Sequence, residues 1–222
     1  MARRTSKTVT APLLDPVVLE DLAAGDAYDL EPGADLEGFE FLDLRVDAVE
    51  LARASVYGSR FVGLRADEAE LGTAKLSECV LERLDVPVLR GVRGRWRDVE
   101  VRGARLGSAE LYESTWDSVR FVDCKLGFVN LRGAQLQDVV FADCTIDELD
   151  LVQATASRVA FTGTRVGGLD VQGSALQHVD LRGAELRELR GIESLGGATI
   201  DSGQLASLAP ALAAALGITV VD

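Results

Sequence analysis

The side chains of this sequence that could carry chemistry are few and widely separated. The chain has one histidine, His178, and three cysteines, at positions 79, 124 and 144. A transition-metal site needs several such ligands together, and a nucleophilic site needs a cysteine or serine beside a base. We find no glycine-rich phosphate loop, no nucleophile elbow and no carboxylate pair in a plausible pocket. We therefore expect no catalytic, metal-binding or cofactor-binding residues, and a protein that is not an enzyme.

Two of the cysteines lie twenty residues apart, which leaves two interpretations open. Cys124 and Cys144 would come within reach of a disulfide if residues twenty apart stack on one another. Alternatively, both are small buried side chains in a reduced protein. An odd number of scattered cysteines is not typical of a secreted disulfide framework. We favour buried, reduced thiols and interpret the isolated His178 as an outward-facing residue without a chemical role.

The composition excludes several classes of protein. The chain has 222 residues, 36 acidic and 23 basic side chains, and a formal net charge of −13. Such an acidic chain binds nucleic-acid phosphates poorly, so we expect no direct nucleic-acid binding. It has no apolar run long enough to span a membrane and no secretory leader, which favours a cytoplasmic location. Aromatic residues make up only 5%, so the core must consist mainly of aliphatic side chains.

The elements that position any functional side chain follow a five-residue repeat. Every fifth residue from Leu36 to Leu186 is large and apolar, except Ala66, Gly91 and Ala156. The residue two positions earlier is small or apolar, and the charges fall between. An α-helix repeats every 3.6 residues and a strand every two, so neither explains this period. Each pentapeptide must direct two side chains inward and three outward, as in a repeat protein.

This repeat resembles that of the pentapeptide repeat family, most plainly in GAQLQDV at 133–139 and GAELREL at 183–189. The resemblance covers residues 34–188. It implies an all-β solenoid, a right-handed quadrilateral β-helix of about eight coils with four pentapeptides each. Residues twenty apart should then stack, and they do resemble one another. One such ladder contains five of the seven phenylalanines: Phe41, Phe61, Leu81, Val101, Phe121, Phe141, Phe161 and Leu181.

The segment before the repeats predicts a cap, because an open coil exposes unpaired backbone groups. Residues 1–33 should form a tail and a short capping helix. Asp15 would be its N-cap, Pro16 its first helical residue and Gly25 the residue that stops it.

The segment after the repeats, residues 189–222, predicts a helix and strand cap. Asp201 and Ser202 should precede a helix that runs to about Leu216 and stops at Gly217, kinked or divided at Pro210, and a terminal strand should follow at 218–221. One face of this helix is apolar and must be buried against the last coil or a second subunit. The family resemblance favours a homodimer through its leucines: Leu205, Leu208, Leu212 and Leu216.

The outward positions of the repeats carry two predicted acidic columns. The first consists of Glu50, Glu70, Glu110, Asp150 and Asp170. The second consists of Asp47, Asp67, Glu68, Asp147 and Glu148. Carboxylates that repeat about every 4.8 Å along an axis could imitate a row of phosphates. Arg90 and Arg93 interrupt them in the middle, within a basic belt that extends to Arg105.

Two functions follow from this surface. The chain looks like the family's DNA-mimicking subgroup, which binds DNA gyrase, a type II topoisomerase, and modulates fluoroquinolone susceptibility. That resemblance implies a protein partner bound through the acidic columns. The alternative is a structural scaffold or interaction module for an unrelated protein partner, recognised through the belt from Arg90 to Arg105. The charges could also serve only to keep a solenoid in solution.

Overall fold

The computed structural model describes residues 9–221, which wind into a β-solenoid of about nine turns built on two parallel sheets. Over this range the first sheet has twelve strands: β1 Ala23–Ala24, β2 Asp35–Glu37, β3 Phe39–Leu42, β5 Ser55–Tyr57, β6 Arg60–Val62, β8 Lys75–Glu82, β10 Arg95–Arg102, β12 Thr115–Val122, β14 Gln135–Ala142, β16 Thr155–Thr162, β18 Ala175–Asp180 and β20 Ala198–Thr199. The second has eight: β4 Ala48–Glu50, β7 Glu68–Glu70, β9 Asp85–Arg90, β11 Arg105–Glu110, β13 Lys125–Asn130, β15 Thr145–Asp150, β17 Thr164–Asp170 and β19 Ala184–Arg190. The predicted all-β solenoid is confirmed.

Neighbouring strands are offset by twenty residues through most of the solenoid. Trp96 lies opposite Trp116 between β10 and β12, and Phe121 lies opposite Phe141 between β12 and β14. Like side chains therefore stack along the axis. A single coil cannot bury its own apolar corners, so the core forms only when neighbouring coils stack.

The structure has about one turn more than the eight expected, because both ends join the ladder with a shorter offset. At the N-terminal end Ala23 pairs with Phe39, an offset of 16 residues. At the C-terminal end Val179 pairs with Ala198, an offset of 19 residues. These segments lie outside the strict pentapeptide pattern, which is why the repeat count missed them.

The core is a stack of aromatic rings surrounded by aliphatic side chains. Phe121 and Phe161 flank Phe141, with ring centroids 5.2 Å apart on either side. The rings of Trp96 and Trp116 are also 5.2 Å apart and nearly parallel. All five side chains are buried. Near-parallel rings at this spacing are a favourable arrangement for aromatic side chains, and the predicted phenylalanine ladder is confirmed.

The predicted N-terminal helix is wrong. Residues 9–22 contain no helical turn, and a short 3₁₀ turn, Ala27–Asp29, follows with Asp26 as its cap. The stretch from Pro16 to Gly25 is too short to be stable as an isolated helix, and it gains more by lying extended against the solenoid. Gly25 packs over the first coil, where an added Cβ would lie 2.3 Å from the Phe41 ring.

The C-terminal helix is present as predicted. The helix α1, Ser202–Ala215, has Asp201 as its N-cap, and a capping box links Asp201 with Gln204. Pro210 lies within α1 but does not divide it. The side-chain amide of Gln204 donates to the carbonyl oxygens of Leu181 (2.6 Å) and Ala184 (2.9 Å). These two bonds fasten the start of the helix to the last coils.

The predicted terminal strand is wrong. Residues 218–221 have no regular structure, and Ile218, Val220 and Val221 are all exposed. A strand needs a sheet edge to pair with, and the C-terminal segment leaves the solenoid at α1 without returning to one.

Candidate protein-binding surface

The first acidic column lies in one straight line on the second sheet. Each residue of the column lies directly opposite the next one on the neighbouring parallel strand. The order along that line is Glu50, Glu70, Arg90, Glu110, Asn130, Asp150, Asp170 and Arg190. Each residue closes a strand, so its side chain points outward at the edge where the next turn begins. The column is therefore a real surface feature, broken by Arg90 and Asn130 and ended by Arg190.

Several of these carboxylates also hold the turns of the solenoid. Glu70 accepts the N–H of Gly72 (2.8 Å), and Asp150 accepts the N–H of Val152 (2.9 Å). Asp170 accepts the N–H of the residue two positions on, as the other two do. A side chain that bonds the backbone two residues later stabilises a turn. This structural role was not predicted from the sequence.

Neighbouring cations neutralise part of the acidic surface. The guanidinium of Arg132 donates to Asp150 Oδ2 (2.7 Å), and this contact raises the pKa of Arg132. Arg90 donates to Glu68 (2.9 Å), and its pKa is raised for the same reason. Both arginines are about half exposed, so these pairs add little stability. They do lower the charge that a partner would meet at the middle of the surface.

The second acidic column is not continuous. Asp47 and Asp67 lie near the N-terminal end, and Asp147 lies near the C-terminal end, all exposed. Glu68 and Glu148 lie one position further along each strand, as exposed residues in a separate line. The positions between the two groups hold uncharged residues: Pro87, Val88, Gly107, Ser108, Gly127 and Phe128. The structure therefore shows two acidic patches rather than a second column.

A shallow depression of about 430 Å³ lies beside Asp150 of the first acidic column and was not predicted. Its lining includes Tyr112, Phe128, Arg132 and Asp150. Tyr112 is 38% exposed, and Phe128 is half-buried although it occupies an outward position. Aromatic residues and arginine are enriched at the energetic centres of protein interfaces. An outward-facing Phe in a chain poor in aromatics was the sequence signal for this site.

The basic belt does not form a single patch. Arg95, Arg97 and Arg102 lie on β10 in the first sheet, whereas Arg105 begins β11 in the second. Arg97 and Arg102 each pair with a neighbouring carboxylate. Among residues 9–221, no carboxylate lies within ion-pair distance of Arg95 or Arg105. The belt encircles the solenoid, so one partner would meet only part of it.

The structure places the cysteines and the histidine where a non-chemical role is expected. Cys79, Cys124 and Cys144 are buried and free, which agrees with the interpretation as reduced core residues. Burial raises the pKa of Cys79 to about 11, so this thiol is unreactive at neutral pH. His178 lies at the surface, half-buried, and its Nδ1 accepts the backbone N–H of Thr10 (3.3 Å). Residues 9–221 contain no cluster of side chains suited to a metal ion.

The predicted dimerisation leucines divide into two pairs. Leu205 and Leu216 are 51% and 75% exposed, whereas Leu208 and Leu212 are half-buried. No residue of α1 is fully buried. Among the described residues, no helix is sufficiently long and apolar to cross a membrane.

Comparison with known proteins identifies the repeats. Residues 114–190 match the family model described as a pentapeptide repeat region, which confirms the predicted resemblance. No curated protein sequence matches the chain. Full-length QnrB1, a plasmid-mediated fluoroquinolone resistance protein, aligns at 17% identity over 85% of this chain and 94% of its own, with a TM-score of 0.32. HetL, a pentapeptide repeat protein involved in heterocyst differentiation regulation in the cyanobacterium Nostoc sp. strain PCC 7120, aligns at 18% identity over 77% of this chain and 91% of its own, with a TM-score of 0.38.

Proposed function

Because residues 114–190 form a pentapeptide repeat region, we propose that this chain is a cytoplasmic, non-enzymatic interaction protein that presents its first acidic column to a basic protein surface. The proposed partner is DNA gyrase or another type II topoisomerase, bound by DNA mimicry, with an effect on fluoroquinolone susceptibility. The observation that carries the proposal is the straight line of stacked carboxylates on the second sheet.

The spacing of the carboxylates in the first acidic column supports mimicry of a DNA phosphate row on one face of the solenoid only. Glu50 and Glu70 are consecutive along the axis, and so are Asp150 and Asp170, about 4.8 Å apart in each case. Duplex DNA carries one charge per about 1.7 Å of axis, a higher density than a single such column provides. Arg90 lies between the two groups. A partner with two separated basic contacts fits this arrangement better than one with a continuous basic channel.

The test is a gyrase supercoiling assay with and without a fluoroquinolone, comparing the wild type with a quadruple variant. The variant carries Glu50→Gln, Glu70→Gln, Asp150→Asn and Asp170→Asn. Each amide keeps an oxygen that can accept the turn N–H and removes only the charge, so the solenoid should remain folded. We expect the wild type to inhibit or protect gyrase and the variant to lose at least about tenfold in potency, since interfacial charges contribute strongly to association.

A matched control removes charge elsewhere on the solenoid. Asp43, Asp123 and Asp143 are exposed corner residues twenty or more residues apart in a different line. Asn at these three positions should leave the potency within about twofold of the wild type. The proposal fails if the wild type neither binds gyrase nor changes its activity, or if the control loses as much potency as the quadruple variant.

A second candidate function, an interaction module for an unrelated protein partner, is favoured by the depression around Phe128. An exposed aromatic site beside Arg132 is of no use to a phosphate mimic, whereas it is typical of a protein-binding centre. Phe128→Glu should abolish binding to such a partner, and it should leave gyrase inhibition unchanged if gyrase contacts Asp150, which lines this depression and also belongs to the first acidic column, without contacting Phe128. Loss of gyrase inhibition in Phe128→Glu would instead place this depression inside the gyrase-binding surface.

We also propose that α1 forms a homodimer interface through the exposed Leu205 and Leu216. From residue 202 to residue 221 the chain contains no charged side chain, which is unusual for an exposed helix.

A further inference from the structure

The N-terminal arm, residues 9–22, lies along the side of the solenoid. The backbone N–H of Leu13 donates to Asp138 Oδ1 (2.9 Å). The N–H of Thr10 donates to His178 Nδ1 (3.3 Å). Both contacts join the arm to residues more than 120 positions later in the chain. They place the start of the arm against the C-terminal half of the solenoid.

The positions of these contacts require an extended chain that runs parallel to the axis. Asp138 and His178 are two coils apart, about 10 Å, and the three residues from Thr10 to Leu13 span about 10 Å when extended. From Leu13 to Ala23, which pairs with the first coil, ten residues pass five coils, about 24 Å. Ten extended residues reach about 33 Å, whereas ten helical residues would reach only about 15 Å, so the segment must be largely extended. The arm therefore spans most of the length of the solenoid.

The side chains of the arm show the pattern of an extended peptide bound along one side. Leu13 and Val18 point to solvent, at 70% and 69% exposure. Every half-buried residue of the arm is apolar: Val9, Pro12, Leu14, Val17, Leu19 and Leu22. These residues recur at alternate intervals of three and two, which is not the two-residue alternation of a flat strand, but all of them contribute apolar contact area. The arm is bound through apolar side chains as well as through its backbone.

A few outward positions of the first sheet are buried, and one of them, Asp138, lies beneath the arm at one corner of the solenoid. Asp138 (5% exposed) and Glu100 (6%) are the buried charged residues of the described chain, and both occupy outward positions on the first sheet. Outward-facing Val62 is also buried. Arg158 donates to both carboxylate oxygens of Asp138, at 2.6 and 2.5 Å. Arg102 and Arg120 of the solenoid pair with Glu100, whereas Asp138 is enclosed by Arg158 on one side and by the Leu13 N–H of the arm on the other, so the arm completes the burial of Asp138.

We propose that this corner is a docking surface for an extended apolar peptide and that its occupant is the chain's own arm, bound in cis through the Leu13 N–H and Asp138. Docking ties together coils that otherwise contact only their immediate neighbours. It also closes one corner of the solenoid to other partners. This proposal does not rest on the proposed gyrase binding, which would involve the second sheet.

The first test is hydrogen–deuterium exchange of the full chain, followed by mass spectrometry of the arm. Leu13→Pro removes the donor N–H, whereas Leu13→Ala keeps it and changes only an exposed side chain. We expect the wild-type arm to exchange at least about tenfold more slowly than an unstructured peptide. Leu13→Pro should remove that protection, and Leu13→Ala should keep it within about twofold.

The second test asks whether the surface binds the arm as a separate peptide. A fluorescent synthetic peptide of residues 9–22 should bind Leu13→Pro protein saturably and should not bind the wild type, whose surface is occupied. Far-UV circular dichroism checks that the variant keeps its β-structure. Asp138→Ala removes the acceptor instead of the donor and should give the same loss of protection.

Several results would overturn the proposal. One is a wild-type arm that exchanges as fast as an unstructured peptide, and another is an arm that stays protected in both Leu13→Pro and Asp138→Ala. A peptide that binds neither protein, or both equally, would show that the corner is not a separable docking surface. Protection of the wild-type arm that rises with protein concentration would place the arm on a second copy and contradict docking in cis.

Discussion

At the scale of single residues, Asp138 shows how a buried charge is stabilised on the outside of a solenoid. Burial acts to raise its pKa, but hydrogen bonds from Arg158 and from the Leu13 N–H outweigh this and hold the pKa below its usual range. Because the pKa is lower in the folded protein than in the unfolded chain, the carboxylate stabilises the fold above pH about 4. That contribution is lost as the pH falls through the folded-state pKa.

Asp138→Asn should therefore lower the free energy of unfolding by about 1.5–3 kcal/mol at pH 7, the range for hydrogen bonds to a charged group. The difference from the wild type should shrink as the pH falls below about 4. Urea denaturation at pH 7 and at pH 3 measures both effects. Asp123→Asn, at an exposed corner, is the control and should change stability by less than about 0.5 kcal/mol. Equal urea midpoints for wild type and Asp138→Asn at pH 7 would contradict the prediction.

Thr73 is a second residue for which the structure predicts an effect on stability, in this case through its backbone conformation. It has a φ of 58° at an exposed corner, a left-handed conformation that β-branched residues rarely adopt. Thr73→Gly should raise the free energy of unfolding by about 0.5–1 kcal/mol, because relief of left-handed strain exceeds the entropy cost of glycine. Thr115→Gly, within the strand β12, should instead lower it by about 0.5–1 kcal/mol. Thermal denaturation compares the pair, and the same sign for both substitutions would refute this account.

At the scale of elements, the sequence predicted the repeating coils and their stacked core residues. It did not predict the N-terminal segment that lies outside the repeat. Phe41 and Phe61 could be placed in one ladder because a strict period of twenty leaves one possible register. The arm could not be placed, because the stretch after Pro16 is compatible with a helix and its binding site at Asp138 is more than a hundred residues away. The turn role of Asp150 was missed because the acid pattern alone does not distinguish a solvated charge from a backbone acceptor.

The interior of the first coils is packed less completely than the rest. A cavity of about 40 Å³ lies there, lined only by apolar side chains that include Phe61, Leu81 and Trp96. Phe61 in the preceding coil and Phe121 two coils later hold aromatic rings at the position of Leu81, whereas this coil holds a smaller side chain. At about 24 cal/mol per Å³ of cavity, the void costs about 1 kcal/mol.

Leu81→Phe should fill this cavity, extend the stack beyond Phe61 and raise the free energy of unfolding by up to about 1 kcal/mol. Leu181→Phe is the matched control: it belongs to the same ladder and is fully buried, but it does not line the cavity. Added volume there should destabilise the protein by about 1–3 kcal/mol. Chemical denaturation of both variants decides the point, and destabilisation by Leu81→Phe would show that the void is not available to a ring.

At the scale of the whole molecule, charge and apolar surface are separated along the axis. The acidic patches and Asp150 lie on the flank of the solenoid, whereas the uncharged segment 202–221 extends beyond its C-terminal end. Gln204 holds only the start of α1 against the last coils. Leu208 and Leu212 are half-buried, but Leu205 and Leu216 leave apolar surface exposed on a helix without charged side chains, which is typical of an interface. Pairing of two such helices would join two solenoids end to end and leave both acidic flanks free.

The wild type should therefore sediment at twice its chain mass of 23.7 kDa. Leu205→Glu combined with Leu216→Glu should weaken the dimer at least about 100-fold, since burying two unpaired carboxylates at an apolar interface costs several kcal/mol. Leu42→Glu, another exposed leucine at the far end of the solenoid, should leave the dimer intact. Sedimentation equilibrium measures all three proteins. A wild type that stays monomeric at tens of micromolar, or a dimer that Leu42→Glu dissociates equally, would exclude α1 as the interface.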